Sequence, residues 1–148
     1  MSFRFALAPL LRLRQSLERQ RAMHLREASL AVARANETLF RTDRLIAETT
    51  QSDEASLRVG RSAAELQFAL ISRANMLLLR QNLQAELRRL ELKRQEAAVT
   101  YQRAYREREV LETLAVQQRH IYQQEQRQHE QRELDASHLL QLWRKRLD

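Results

Sequence analysis

The sequence predicts an all-α protein made of two long helices that form an antiparallel coiled-coil hairpin, with a second helix that is longer and overhangs the first. Two observations predict this fold class. The 148 residues include one proline, Pro9, and one glycine, Gly60, and these residue types are the strongest helix breakers. The remaining sequence is rich in Leu, Ala, Glu, Gln and Arg, which favour helix, and its apolar residues recur at coiled-coil spacing.

We therefore expect a single coiled-coil domain over residues 1–148. The breakers and the apolar period predict helix 1 over about residues 8–50, a turn over about residues 51–61 and helix 2 over about residues 62–145. A hairpin of this kind has one thin seam in place of a globular core.

Helix 1 begins where Pro9 can occupy the first helical turn, a position that proline tolerates. Leu10, Leu13 and Leu17 follow at spacings of three and four residues. The spacing predicts a register slip of about one residue before Leu25, after which a regular heptad pattern begins. Its large residues are Leu25, Val32, Leu39 and Ile46, and its smaller companions are Ala28, Ala35, Thr42 and Thr49.

The turn is predicted where residues 49–62 interrupt the apolar period. This stretch holds Gly60 together with several Ser, Thr and Asp residues, whose side chains compete for backbone hydrogen bonds. Ser62 and Glu65 have the spacing of a capping box, which predicts that helix 2 opens at this point.

Helix 2 carries its own heptad seam. One seam position holds Met76, Leu83, Leu90, Ala97, Ala104 and Leu111, and the companion position holds Arg80, Leu87, Arg94, Tyr101, Arg108 and Ala115. Arginine at three companion positions weakens the seam but can set its register.

The last part of helix 2 has little apolar character. Between Gln117 and Glu133 only Ile121 and Tyr122 are apolar. Because the two arms are unequal, about forty residues of helix 2 are expected to extend past the start of helix 1. A polar helix without a partner frays unless another molecule holds it.

The strongest interaction signal is an apolar excess over residues 66–79, which exceeds what one helix face can bury against one partner helix. It predicts either a wider seam near the turn or a surface for self-association or partner binding. The candidate partner-binding residues are Phe68, Leu70, Ile71, Met76, Leu78 and Leu79.

The charge pattern indicates which kinds of partner the chain can bind. The net charge is +7, but arginines alternate with glutamates along most of helix 2, a pattern typical of a solvated face. We therefore expect no nucleic-acid binding, and keep an acidic protein or membrane surface as alternatives for the unmixed basic residues near both ends. Arg12 and Arg14 represent the amino-terminal cluster, and Arg144 begins the carboxy-terminal one.

No enzyme or cofactor chemistry is expected. One glycine cannot form a phosphate-binding loop, and the absence of cysteine excludes disulfides and thiolate metal sites. Glu125, His129 and Glu133 share one helix face, but the paired Glu-x-x-His pattern of a di-iron bundle is missing, so this face is interpreted as a solvated one.

No transmembrane segment is expected, because no apolar run approaches the ~20 residues that span a bilayer. We interpret the chain as a cytosolic bacterial protein. The arginine-rich start leaves an organelle-targeting peptide as the alternative.

Two stretches of the chain resemble a known family. The start reads Phe3-x-Phe5-x-Leu7-x-x-Leu10-Leu11-x-Leu13-Arg14. The later stretch reads Arg108-Glu109-x-Leu111-Glu112-x-Leu114, then Gln118, Tyr122, Glu125, Arg127 and Glu130-Gln131-x-Glu133-Leu134-Asp135. Together with the basic charge and the unequal helices, these stretches resemble the FliJ family of the bacterial flagellar type III export apparatus. The Ala-Ser-His that follows Asp135 departs from the acidic residue and alanine expected there.

The resemblance implies a non-enzymatic export component that serves flagellum biogenesis, and through it motility and chemotaxis. It implies a coiled coil similar to the central stalk of rotary ATPases, with three partners: the hexameric flagellar export ATPase, the export-gate membrane protein and export chaperones. The expected location is the cytoplasmic face of the bacterial inner membrane near the flagellar base, as a peripheral protein.

On the same resemblance, the ends of the stalk enter the ATPase ring, where basic side chains suit acidic surfaces. Residues 66–79 become the candidate surface for the gate or chaperones. The candidate basic contacts are Arg12, Arg14, Arg108, Arg127 and Arg144.

Two other functions remain as alternatives. One is a structural, self-associating coiled coil, and the other is the equivalent stalk of a virulence type III secretion injectisome. The Phe-x-Phe opening favours the flagellar stalk over the injectisome stalk. Sedimentation separates the stalk from the self-associating protein, since a stalk should be monomeric when dilute.

Overall fold

The computed structural model describes the backbone of residues 3–147 and the side chains of residues 3–144. In this range the chain forms two helices and no strand: α1 spans Ala8–Leu57 and α2 spans Ala63–Leu147. The predicted all-α class, with two packed helices of which the second is longer, is confirmed.

Helix α1 continues past residue 50 to Leu57, so the link between the helices covers residues 58–62 and is shorter than predicted. The hydroxyls of Thr49 and Thr50 donate hydrogen bonds of 2.8 Å to the carbonyls of Leu45 and Ile46, one turn earlier. Because these hydroxyls bond back along the helix, they do not end it as the composition suggested.

The link turns at Gly60, whose φ is +95°. A Cβ added there would meet no atom within 4 Å, so glycine is needed for its backbone conformation and not for space. Beside it, Arg61 Nη1 donates to Asp53 Oδ1 at 2.9 Å and ties the link to the last turns of α1.

Helix α2 opens with the capping box that the sequence predicts. The backbone N–H of Ser62 donates to Glu65 Oε2 at 2.9 Å, and the N–H of Glu65 donates to Ser62 Oγ at 3.3 Å. The bond from the Ser62 backbone, followed by the one to its side chain, lowers the pKa of Glu65 below its ordinary value.

The chain divides into two compact units, each built from both helices. The turn unit comprises residues 20–102, and the described part of the terminal unit comprises residues 3–19 and 103–147.

In the turn unit, the heptad positions predicted from the sequence form the seam. The residues that α1 contributes are Leu25, Val32, Leu39 and Ile46, and those of α2 are Met76, Leu83, Leu87, Leu90 and Ala97. Val32 is buried, with 8% of its surface exposed, and the others are half-buried. Arg94, predicted in the seam, is exposed instead.

In the terminal unit, the seam differs from the predicted one. Leu10 and Leu13 are 38% and 55% exposed, whereas Leu11 and Glu18 are half-buried and stand fourteen and seven residues before Leu25. The predicted register slip is therefore wrong, because one heptad phase continues through Glu18. The carboxylate in a position that usually holds a large apolar residue concealed this phase in the sequence.

The seam of the terminal unit ends at Tyr122, which is half-buried. From residue 123 to Arg144 every side chain of α2 is exposed, and this stretch extends about 30 Å along the helix axis. We call these residues, 123–144, the overhang.

Replacing Leu83, Leu87 and Leu90 together with Asn should strongly lower the melting temperature and the helicity of the hairpin. Seam burial supplies most of the helical stability, and each substitution removes roughly 1–2 kcal/mol of apolar burial and desolvates an amide. Thermal melting followed by circular dichroism measures the effect. The control triple Leu70→Asn, Leu78→Asn and Leu92→Asn changes exposed positions of the same unit and should melt close to the parent, and equal loss in both triples would contradict this seam.

Replacing Glu65 with Gln should lower the melting temperature at neutral pH and have little effect in acid. A carboxylate whose pKa is lowered on folding contributes stability above its ordinary pKa of 4.5, and that contribution disappears as pH falls through the lowered value. Melting temperatures across acid and neutral pH test this, with Glu54→Gln within α1 as the control. A Glu65→Gln deficit that persists unchanged in acid would show that the cap does not depend on the charge.

Candidate partner-binding surfaces

Most of the predicted apolar contact residues lie on the surface of the turn unit. Phe68, Leu70, Ile71, Leu78 and Leu79 are 75%, 69%, 55%, 56% and 51% exposed. The excess over residues 66–79 is therefore not a wider seam, and these side chains are available to another molecule. Met76 is the exception, because it is half-buried in the seam.

The exposed residues fall on two flanks of α2. Phe68, Ile71 and Leu78 are spaced by three and seven residues and share one face, with Leu79 adjoining it. We call these four residues the turn-side apolar surface. Leu70 lies on the other flank, together with Leu66 and Leu77, which are 36% and 42% exposed. Both belong to the predicted apolar stretch but were not among the candidate contact residues.

A groove of about 460 Å³ lies beside Phe68. Its walls come from Thr49, Asp53, Arg61, Ala64, Glu65, Phe68, Ala69 and Ser72. Small side chains leave the groove open, while its charged groups are already engaged: Asp53 with Arg61, and Glu65 with Ser62. Its chemistry suits an inserted apolar side chain.

Two of the predicted basic contacts are engaged inside the terminal unit. Arg14 Nη1 lies 2.5 Å from Glu107 Oε2, and Arg108 Nε lies 2.6 Å from Glu18 Oε2. Arg108 also pairs with Glu112, and its guanidinium carbon lies 4.9 Å from the centre of the Tyr105 ring. We call Arg14, Glu18, Glu107, Arg108 and Glu112 the seam charge network.

Arg108 and Glu18 are the most enclosed charges of this network, each with 17% of its side chain exposed. Burial alone lowers the pKa of Arg108, but the negative charges of Glu18 and Glu112 outweigh it and raise that pKa above the ordinary arginine value. The guanidinium is therefore held charged in the seam, where charged seam residues restrict the register that the helices can adopt.

Three other ion pairs, in the turn unit, are more exposed than the pair of Arg108 and Glu18. Arg80 Nε lies 2.5 Å from Asp43 Oδ1 across the seam, with side chains 40% and 42% exposed. Along α1, Arg41 pairs with Glu37 and Arg44 with Glu48 at the i,i+4 spacing. Such pairs contribute a few tenths of a kcal/mol, and they fit the interpretation of the alternating charges as a solvated face.

The residues before α1 close the end of the terminal seam. The ring of Phe3 lies 5.6 Å from that of Tyr122, centre to centre, and the Arg119 guanidinium carbon lies 5.8 Å from the centre of the Phe3 ring. The N–H of Ala8 donates to the carbonyl of Phe5 at 3.1 Å and holds the turn that leads into the helix. Phe3 thus covers the last half-buried residue of α2.

The remaining predicted basic contacts are exposed in the terminal unit. Arg12 lies on α1 outside the seam, and Arg127 and Arg144 lie on the overhang. Among the described side chains, no cluster of three or more potential metal ligands occurs. No helix in the described part of the chain is long and apolar enough to cross a membrane.

The sequence analysis missed a group of apolar residues near the end of the overhang. Leu139, Leu140, Leu142 and Trp143 are 59%, 65%, 47% and 70% exposed. The spacing of one, three and four residues among Leu139, Leu140 and Trp143 was the signal that could have identified these three as one helix face. We call Leu139, Leu140 and Trp143 the apolar tip.

The family model described as the flagellar FliJ protein matches residues 3–147. This chain belongs to the FliJ family. It is therefore a component of the bacterial flagellar export apparatus, and the resemblance inferred from the two sequence stretches is confirmed. No curated protein and no solved structure matches the chain significantly.

The family match includes the whole overhang and continues to residue 147. The helix beyond Tyr122 is therefore part of the family's architecture and not an unrelated extension.

Replacing either Glu18 or Arg108 with Leu should destabilise the protein by about 2 kcal/mol, because the first change leaves Arg108 with Glu112 alone and the second leaves the Glu18 carboxylate without Arg108. The double replacement should recover most of that loss, giving a favourable coupling energy of at least about 1 kcal/mol. Urea denaturation of the parent and the three variants measures the coupling. As a control, the same cycle on the exposed pair Glu37 and Arg41 should give a coupling energy of no more than about 0.5 kcal/mol. If the losses at Glu18 and Arg108 are additive, their contact contributes nothing to stability.

Proposed function

We propose that this protein is the coiled-coil stalk of the flagellar type III export apparatus, and that its terminal unit engages the hexameric export ATPase. The observation that supports the proposal is the overhang, a helix that continues past the end of its intramolecular seam with every described side chain exposed. A helix without packing is only marginally stable in water. Entry into a ring of subunits would supply the packing that α1 does not.

Basic residues of the terminal unit support an acidic partner. Arg12, Arg127 and Arg144 are exposed and available for contact. Arg14 and Arg108 belong to the seam charge network, so their proposed role is to hold the seam. Exposed charges of one sign speed association with a surface of the opposite sign and make it salt-dependent.

The turn-side apolar surface is proposed to dock the export-gate membrane protein. Phe68 is the best anchor, because it is large, aromatic and 75% exposed beside a groove. Export chaperones are the third proposed partner of the protein. These interactions would place it at the cytoplasmic face of the inner membrane near the flagellar base, where it would serve motility and chemotaxis.

One observation favours self-association as a second function. Apolar side chains are exposed on both flanks of α2 over residues 66–79, and an unpartnered apolar patch can pair with its copy. The match to a flagellar family supports the flagellar stalk over the equivalent injectisome stalk.

Titration into the flagellar export ATPase of the same bacterium should raise ATP hydrolysis and ATPase hexamer formation, with saturation near one chain per six ATPase subunits. A stalk binds one ring, so this stoichiometry separates it from a protein that coats each subunit. Hydrolysis rates together with analytical ultracentrifugation measure both. Saturation at one chain per ATPase subunit, or no binding, would contradict the stalk.

The charge dependence is tested in the same assay. The triple variant Arg12→Glu, Arg127→Glu and Arg144→Glu should bind more weakly, with the largest deficit at low salt. Arg41→Glu changes an exposed arginine of the turn unit and serves as the control.

Ultracentrifugation of the protein alone tests self-association. The stalk should be a monomer when dilute, whereas a stable dimer that is lost on Phe68→Asn would favour the self-associating function.

A further inference from the structure

We propose that the apolar tip, Leu139, Leu140 and Trp143, is the anchor by which the overhang binds the export ATPase, and that the recognised surface is an apolar pocket with an acidic rim. This inference rests on the proposed function. It assigns the affinity to one face of the last turns of α2, while the polar stretch before it acts as a spacer.

The distribution of side chains along the overhang separates a spacer from an anchor. Residues 123–133 contain no large apolar residue and span about 16 Å. The apolar tip then exposes three large side chains at 59%, 65% and 70%. Burial of apolar surface is the main favourable term in association, so the tip can supply affinity that the spacer cannot.

The three residues lie on a common helix face. Leu139 and Trp143 are four residues apart and Leu140 and Trp143 are three apart, so all three project on the same side of α2. Ala136 precedes them at the same spacing. Such a face fits a groove or pocket that receives one side of a helix.

The charges around the tip specify the rim of its binding surface. From residue 136 to residue 147 the sequence has no Asp or Glu, whereas Arg144, Lys145 and Arg146 follow the tip directly. Arg144 is exposed next to this apolar face, and a basic residue in that position is complementary to an apolar surface with acidic residues around it. Trp and Arg are also the residue types most enriched among residues that dominate binding energy.

A protein surface is favoured over a lipid surface because the family match runs through the tip to residue 147. The tip thus lies within the same family match as the seam of the terminal unit, whose proposed partner is the ATPase. An anionic membrane would also attract a basic amphipathic helix, and it is therefore an explicit alternative outcome of the test.

Trp143 allows a direct measurement, because it is the only tryptophan of the chain. We expect its fluorescence emission to shift to shorter wavelength when the full-length protein binds a tryptophan-free variant of the export ATPase. Vesicles of phosphatidylglycerol and phosphatidylethanolamine, at matched salt, should give no such shift. A shift with vesicles and none with the ATPase would overturn the proposal in favour of a membrane surface.

Substitutions then separate the tip from the rest of the terminal unit. Trp143→Gln and the pair Leu139→Asn and Leu140→Asn should each weaken ATPase binding about 30-fold, as expected for a dominant anchor. The control variant Val110→Asn and Val116→Asn changes apolar residues that are 67% and 68% exposed on the same helix before the overhang, and should bind as the parent does. Binding is followed by anisotropy of a dye attached through a single introduced cysteine at Ser52.

The outcomes distinguish the inference from the function on which it rests. Because the tip is exposed, its variants should melt as the parent does, and loss of binding would not reflect unfolding. If the parent binds the ATPase and the tip variants bind equally well, the anchor is wrong while the stalk stands. If the parent itself does not bind, the proposed function fails with it.

Discussion

Within each unit, two helices that pack only against each other have one seam, and this constraint governs the other features of the chain. Even at the seam the burial is shallow: among the described residues only Val32 and Ala104 fall below a tenth exposed, at 8% each. With so little apolar area to bury, helix stability depends on keeping the seam in register over its whole length. A residue outside the seam is on the surface by default, which is why exposed leucines are numerous and do not individually indicate a binding site.

The seam charge network is the clearest consequence of this constraint. In a globular core a charge such as that of Arg108 would require a full set of buried partners, but in a thin seam its neighbours are the opposite helix and solvent. Glu18 on α1 and Glu112 on α2 supply the compensating charges. Charged pairs stabilise the seam less than leucines would. A seam of leucines packs equally well when one helix shifts by seven residues, whereas such a shift separates the charged partners. The network therefore exchanges some stability for a defined register.

Much of the fold follows from local sequence, and the deviations have a common physical cause. The breakers, the heptads of the turn unit and the capping box at Ser62 are local features, so the sequence predicts them directly. The longer α1 and the unbroken heptad phase at Glu18 were not predicted, because polar side chains were interpreted as disruptive. Thr49 and Thr50 satisfy their hydroxyls on the previous turn, and Glu18 gains its partner from a residue ninety positions away in the chain. Pairing of that kind cannot be inferred from a single helix.

For the candidate surfaces too, the sequence predicts the residue types but not which of them are exposed. An apolar excess over residues 66–79 is visible in the composition, but only the packing separates Met76 in the seam from Phe68 on the surface. Arginine content likewise does not distinguish Arg14 and Arg108, which hold the seam, from Arg12, Arg127 and Arg144, which are exposed. The tip at Leu139 to Trp143 was not predicted, because a few apolar residues in the sequence look the same whether they belong to a weak heptad seam or to an exposed face. Only the structure shows that α1 does not pack against this part of α2.

The position where α1 stops packing against α2 determines how much of the free energy of partner binding must be used to order the overhang. Up to Tyr122, packing against α1 and Phe3 holds α2 in helical form, whereas beyond it helix formation depends on intrinsic propensity and on pairs such as His129 with Glu133. An isolated stretch of that length is only marginally helical, so a partner that binds it must also offset part of the cost of ordering it. A polar stretch alone gains little from burial with which to meet that cost. An apolar face at the far end of the overhang can offset this ordering cost at the position where fraying would otherwise begin. Once the last turns are ordered there, helix formation is favoured along the whole overhang up to the seam.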